Sequence, residues 1–204
     1  MSYLTSVANI KTYLGITSSA YDTKLAQILI AADSAVHQYC DRDSFFTNTY
    51  TNERYSGRAM GLNAGLVCLR NIPVNSIASI TMHPDNSQVS TTYTGSSFTY
   101  ESMTGMVQFS EGATNMQSFD LGFRNIAVTY GAGYTTIPDD LDAACAMVAA
   151  AMFNLSQTSA GMKSEKIGDY AYVSSRNNDG KNPWDIAFED AAPILAKYRR
   201  TPAL

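Results

Sequence analysis

A chain of 204 residues with 45% apolar side chains can bury one sizeable core, which excludes wholesale disorder. A net charge of -4, with no basic run longer than Arg199-Arg200, excludes a protein that grips nucleic acid by neutralising phosphates. Only 16% of residues are charged, against about 25% in ordinary soluble domains; Ser, Thr, Asn and Tyr supply the polarity, as on surfaces that meet other protein.

Residues 1–44 read as helical. The opening "MSYLTSVANIKTYLG" lacks a basic segment followed by an apolar one, so no signal peptide is expected and the protein is expected to be made as a soluble, intracellular chain. Thr5 or Ser6 can cap a short helix carrying Val7, Ile10 and Leu14, which Gly15 ends. In "SAYD", residues 19–22, a Ser precedes an acid by three positions, a capping-box pattern. Behind it Leu25, Ile28, Leu29, Ala32, Val36, Tyr39 and Cys40 recur at threes and fours, one face of a helix of about five turns.

Residues 45–134 change character. Short alternating runs appear at 47–55, 66–70, 76–82, 106–109 and 125–130, separated by turn signals such as "HPDN" at 83–86 and "YTGSS" at 93–97. They predict a small antiparallel β region inserted between helical parts. Helical patterning resumes at "TIPD", residues 136–139, with Thr136 as cap, Pro138 in the first turn, and Asp139, Asp140 and Asp142 at the positive helix end. This helix is expected to end near Asn154. A strand-like "IGDYAYVSS" and a polar loop at 176–182 follow. A last helix should begin near Asp190, with Pro193 in its first turn and Arg199 and Arg200 at its negative end.

The helix beginning near Pro138 is apolar all round. One face is Leu141, Ala144, Cys145, Val148, Met152 and Phe153; the back is Ala143, Ala146, Met147, Ala150 and Ala151. Such a helix must be covered on every side. Either the β insertion folds over the back, or a second copy of the chain does, and the many alanines favour the second. Its longest uncharged stretch, residues 143–153, is too short to cross a bilayer.

Little in the chain points to chemistry. Cys40, Cys68 and Cys145 are far apart with no CxxC pair, which suggests reduced structural thiols. His37 reads as an exposed partner of Asp33, and His83 lies before Pro84; no HxxxH or HExxH occurs, so no metal is expected. There is no GxSxG and no GxxxxGK[ST], and "GAGY" at 131–134 is a weak match to a phosphate loop. The acids at 139–142 read as helix-end partners. Tyr50, Tyr55, Tyr93, Phe98 and Tyr100 read as cross-strand packing rather than a carbohydrate groove. No catalytic residue and no cofactor is expected.

The order of a short helix, a long helix ending "YCDR", "LRNIPVNSIASITM", "VTYGAGYTTIPDDLDAACAMVAAAMFN", "KIGDYAYVSS" and "ILAKYRR" closely resembles the head–tail connector (adaptor) proteins of tailed bacteriophages. The resemblance covers nearly the whole chain, with 73–80, 132–144 and 166–172 its most specific pieces. It departs where family members often carry a Tyr and an Arg after the apolar helix and this chain has "MFNLSQ", and in a long Ser/Thr-rich insertion. What the resemblance implies is a structural protein of the virion neck, assembled in the host cytoplasm. It would form a ring, usually of twelve copies, dock beneath the portal, and extend the DNA channel toward a downstream neck or tail protein. DNA would pass without sequence-specific binding, and no membrane is involved.

The expected fold is therefore α+β: mainly a helical bundle of about four helices, residues 1–44 and 135–204, with a small antiparallel β region at 45–134, assembling as a ring. The expected subunit interface comprises Met147, Ala150 and Ala151 with an arm of Lys166, Ile167, Gly168, Asp169, Tyr170 and Tyr172. That arm pairs either with a neighbour's strand or within its own subunit. The expected portal contact is Pro193, Ile194, Leu195, Tyr198, Arg199 and Arg200. The alternatives are another phage neck or tail-completion protein, or a non-viral oligomeric module whose β region binds a ligand such as a glycan.

Overall fold

The computed structural model describes residues 2–57, 66–83, 90–109, 122–157, 164–167, 170–173 and 188–200, the two stretches between 164 and 173 as backbone alone. The chain divides into two compact units, one of Met1–Asp43 with Ile137–Arg200 and the other centred on Ser44–Thr136.

In the first unit, helix α1 (Val7–Leu14) starts at Ser6, whose hydroxyl accepts from the Asn9 N–H at 3.1 Å, and ends at Gly15 in the left-handed conformation, φ 67°. Helix α2 (Asp22–Tyr39) does not use Ser19 as its cap. Ser18 caps a single 3₁₀ turn, residues 19–21, and α2 follows from it without a side-chain cap. Instead Asp22 is held by Lys11 of α1 at 2.8 Å. Helix α3 (Asp139–Gln157) packs against α1 and α2, and a one-turn helix α4 (Ala192–Leu195), with Pro193 in its first turn, packs against α3. The buried stripe of α2 is Leu25, Leu29, Ala32 and Val36. Each of the Leu and Val side chains contributes about 1.5–3 kcal/mol on full burial.

Among its described residues the second unit has seven strands in two antiparallel sheets. Strands β1 (Asn48–Gly57), β7 (Gly122–Ala132), β3 (Val74–Met82) and β4 (Thr91–Thr94) form one, in that order. Strands β2 (Leu66–Cys68), β6 (Met106–Phe109) and β5 (Phe98–Tyr100) form the other. Both sheets feed one core: Val67, Phe98 and Val107 join Val74, Ile80, Met82, Ile126, Val128 and Tyr130. A further pair, β8 (Ser164–Ile167) and β9 (Tyr170–Val173), forms an antiparallel hairpin with Ile167 opposite Tyr170.

The expected fold class is thus corrected. The protein is mainly β, with few helices, rather than a helical bundle with a small β insertion; among the described residues only α1, α2 and α3 exceed one turn. The physical reason lies in β7. Strand pairing on both sides buries Asn125, Ile126, Ala127, Val128, Tyr130 and Ala132, so the run is a sheet centre rather than an alternating half-buried strand. It recruits β1 and β3, of nine to eleven residues like itself, into one large sheet.

The glycines of "GAGY" also have a structural reason. Gly133 has φ 113°, and a Cβ there would stand 2.3 Å from the Phe46 carbonyl oxygen. It serves a close backbone crossing, not a phosphate.

A polar knot locks β1 to β7. The hydroxyls of Tyr55 and Tyr130 both donate to Glu53 Oε2, at 2.8 and 2.6 Å, and lie 3.0 Å apart. The Asn71 side-chain amide donates to Tyr130 at 3.0 Å, and the Arg70 N–H to Tyr55 at 3.0 Å. Burial, and then the bond to Glu53, push the Tyr130 hydroxyl up to about 12, while burial raises Tyr55 further still. The unfolded tyrosines ionise near 10 and the folded ones resist ionisation. Stability is therefore fully present below pH 10 and falls as the pH rises toward 12. Tyr130→Phe should cost about 1–3 kcal/mol by stranding its partners. It should also flatten the alkaline fall, as read from melting curves between pH 8 and 12.

Candidate assembly surfaces

The first expected interface lies on α3. Within the single chain, Ala144, Cys145, Val148 and Ala149 are fully buried and Ala150 is only 1% exposed. The premise of an uncovered back face is corrected accordingly. What remains open is a narrow stripe of Ala143, exposed, with Met147 and Ala151, both half-buried. It continues into a groove between α1 and α3 lined by Tyr13, Asp139, Asp142, Ala143 and Ala146 among others. Asp142 is held there by the Asn9 side-chain amide at 2.9 Å.

The second expected element, the arm, is a hairpin: Lys166 and Ile167 sit in β8 opposite Ala171 and Tyr170, and Tyr172 opposite Glu165. Gly168 and Asp169, expected in the same arm, lie outside the described residues.

The third, the C-terminal segment, is clasped to its own unit. Leu195 is 0% exposed and Tyr198 is buried, so neither offers a free surface as expected for a portal contact. The Tyr198 hydroxyl donates to the Asp140 carboxylate at the start of α3, and Lys197 approaches the same group at 3.7 Å. Arg42 Nε donates to the Tyr198 carbonyl at 2.7 Å, and the Arg200 N–H to the Cys40 carbonyl at 2.9 Å. The Arg199 guanidinium lies over the Tyr39 ring, 5.9 Å from its centre. Pro193 and Arg199 are exposed, Ile194 and Arg200 half-buried. Pattern reading missed this because Asp140 looked like one of three interchangeable helix-end acids. Only the fold sets Tyr198 beside it.

The other sequence candidates are spent on structure. His37 is half-buried rather than exposed, its Nδ1 2.8 Å from the Asp33 carbonyl, while Asp33 Oδ1 accepts from the Leu4 N–H at 2.9 Å. Tyr50 stacks on Tyr130 at 5.2 Å and Tyr93 meets Phe109 edge-on at 5.2 Å, so these aromatics pack across strands. Burial pushes the Cys40 thiol up to about 11 against the pull of Arg42 and Arg199, and raises Cys145 too, the wrong direction for a nucleophile. Among the described residues no group of three His, Cys, Asp or Glu could hold a metal, and no helix is long and apolar enough to cross a membrane.

A family model described as head completion protein matches residues 3–160, and the chain belongs to that family. Its coarse role follows: a structural part in head completion, in keeping with the resemblance to phage head–tail connectors. No curated protein matches the chain. Among solved structures, one chain of "Virion of native gene transfer agent (GTA) particle" is 16% identical with a TM-score of 0.49, covering 100% of this chain and 95% of that one. A chain of "Neck of empty GTA particle computed with C6 symmetry" is 15% identical with a TM-score of 0.48, covering 97% and 90%. Likeness at this level does not define a shared fold.

Two substitutions separate core from surface on α3. Ala150→Glu forces a carboxylate into a filled interior and should abolish cooperative unfolding or lower Tm sharply. Met147→Glu, at a half-exposed site, should leave the circular dichroism spectrum and Tm close to those of the wild type.

The Asp140 clasp makes a further prediction. The bond from Tyr198, with Lys197 as a lesser help, holds Asp140 below the usual carboxylate range. Its contribution is present above the unfolded value and fades as pH falls through the folded one. Asp140→Asn should expose Lys197 and Arg199 to trypsin faster at neutral pH, with little change in global stability because the site is solvent-screened.

Proposed function

We propose that this protein is a structural component of the virion neck of a tailed-phage-type particle. It forms a ring, usually of twelve copies, beneath the portal and extends the DNA channel to the next neck or tail protein. The observation that carries the reading is membership of the head completion protein family across residues 3–160. Two features of the chain support it. The acidic balance, -4 overall, suits a conduit through which DNA slides without being gripped. The β8–β9 hairpin, as a two-stranded unit, is marginal by itself in water and suits an arm laid on a neighbouring copy, carrying Lys166, Ile167, Tyr170 and Tyr172.

In this reading Met147 and Ala151 belong to the subunit contact. The portal contact uses Pro193, Ile194, Arg199 and Arg200, with Leu195 and Tyr198 anchoring the segment from beneath. Electron microscopy of the full chain, alone and mixed with portal protein, tests it. Rings with a central hole of DNA width, seated on the portal, are the expected result. A chain that forms no ring in either condition overturns the reading, and binding to a glycan array by a monomer favours the ligand-binding alternative. Deletion of residues 164–173 should leave circular dichroism nearly unchanged and remove rings.

A further inference from the structure

One end of the β1/β7 pair is built to hold an aromatic in the open. The register slips between Tyr55 and Gly57, a bulge that re-aims the side chains beside it. Arg124 takes a left-handed backbone, φ 52°, an uncommon conformation for an arginine. It is held there by its N–H bond to the Ser56 hydroxyl, 3.0 Å, and by Arg54 Nη1 reaching its carbonyl at 3.4 Å. Phe123, the residue before Arg124, is left 84% exposed. Neither arginine forms an ion pair among the described residues. A lone exposed Leu would need no account; a phenylalanine 84% exposed beside a bulge, next in sequence to an exposed arginine, is a different matter.

The α1–α3 groove has the opposite character. Its floor is Ala143 and Ala146, its wall is Tyr13, 54% exposed, and its carboxylates are Asp139 and Asp142. Asp142 accepts from the Asn9 amide and forms no ion pair among the described residues. Small floor residues admit a ring, the tyrosine gives it an edge or a face, and the acids meet the arginines.

We infer that Phe123 of one copy seats in the Tyr13–Ala143 groove of the next, with Arg124 and Arg54 facing Asp139 and Asp142. The occupant is a second copy because the complementary charges, Arg54 and Arg124 on one surface and Asp139 and Asp142 on the other, both reside on this one chain. Knob and groove are unlike surfaces, so the contact is heterologous and propagates head to tail, as a ring needs. It rests on the proposed self-association and names the residues that carry it.

The test is light scattering of the full chain over a concentration series, with electron microscopy on portal protein in parallel. Wild type should associate. Phe123→Ser and Arg124→Asp should each weaken association about tenfold or more, as loss of a central anchor does. Arg124→Asp combined with Asp139→Arg should restore it, which a folding defect would not allow. Unchanged association in Phe123→Ser overturns the contact and leaves the ring reading standing. If Phe123→Ser self-associates normally but no longer binds portal, the knob serves the portal and the proposal is overturned. A wild-type chain that stays monomeric overturns the contact, and the absence of rings on portal as well overturns the reading beneath it.

Discussion

Between its first and last turns helix α3 has nothing polar to offer water, and the helical unit is arranged around that constraint. Cover comes from α1, α2 and the one-turn α4, which together leave Ala150 at 1% exposure. The small side chains that seemed to invite a second copy let the chain's own helices approach closely instead. Only a stripe through Ala143, Met147 and Ala151 remains for a neighbour. Self-association therefore no longer follows from a surplus of apolar helix.

The same economy governs the C-terminal segment. Leu195 and Tyr198 carry the amphipathic signal that made the segment look like a partner's ligand, yet both are consumed at home. Tyr198 reaches Asp140, and Arg42 reads the Tyr198 carbonyl. An apolar stripe on a short terminal helix states that something must cover it and does not say what. Here the ends of α2 and α3 do, so the segment's outward residues are Pro193 and Arg199, with Ile194 and Arg200 in part.

In the β unit the chain solves a different problem. A strand paired on both sides and buried on both faces, as β7 is, needs its polar atoms satisfied inside the core. Asn71, Arg70 and Glu53 do this for Tyr130 and Tyr55, turning two hydroxyls from a desolvation cost into a brace between β1, β7 and the loop before β3. The rim of this unit, with Phe123 and Arg124 at a bulge, is where it turns outward.

Features set by neighbours along the chain were legible from the sequence: a cap at Thr5 or Ser6 and the Gly15 stop of α1, the apolar stripe of α2, the acidic first turn of α3 (though the helix begins at Asp139, after Pro138, not with Thr136 as its cap), and most strand positions. Their causes are local, a side-chain oxygen three residues from an orphan N–H or an alternation every second residue. The family resemblance was legible for the same reason, as an ordered string of short motifs. Three things were decided only by tertiary structure: that the β region is the larger architecture, that α3 is covered within its own chain, and that Tyr198 belongs to Asp140. Each depends on which of several apolar surfaces meets which. Hydrophobic burial is non-directional, so the pattern along a chain records that a surface must be hidden while its partner is chosen by packing in three dimensions.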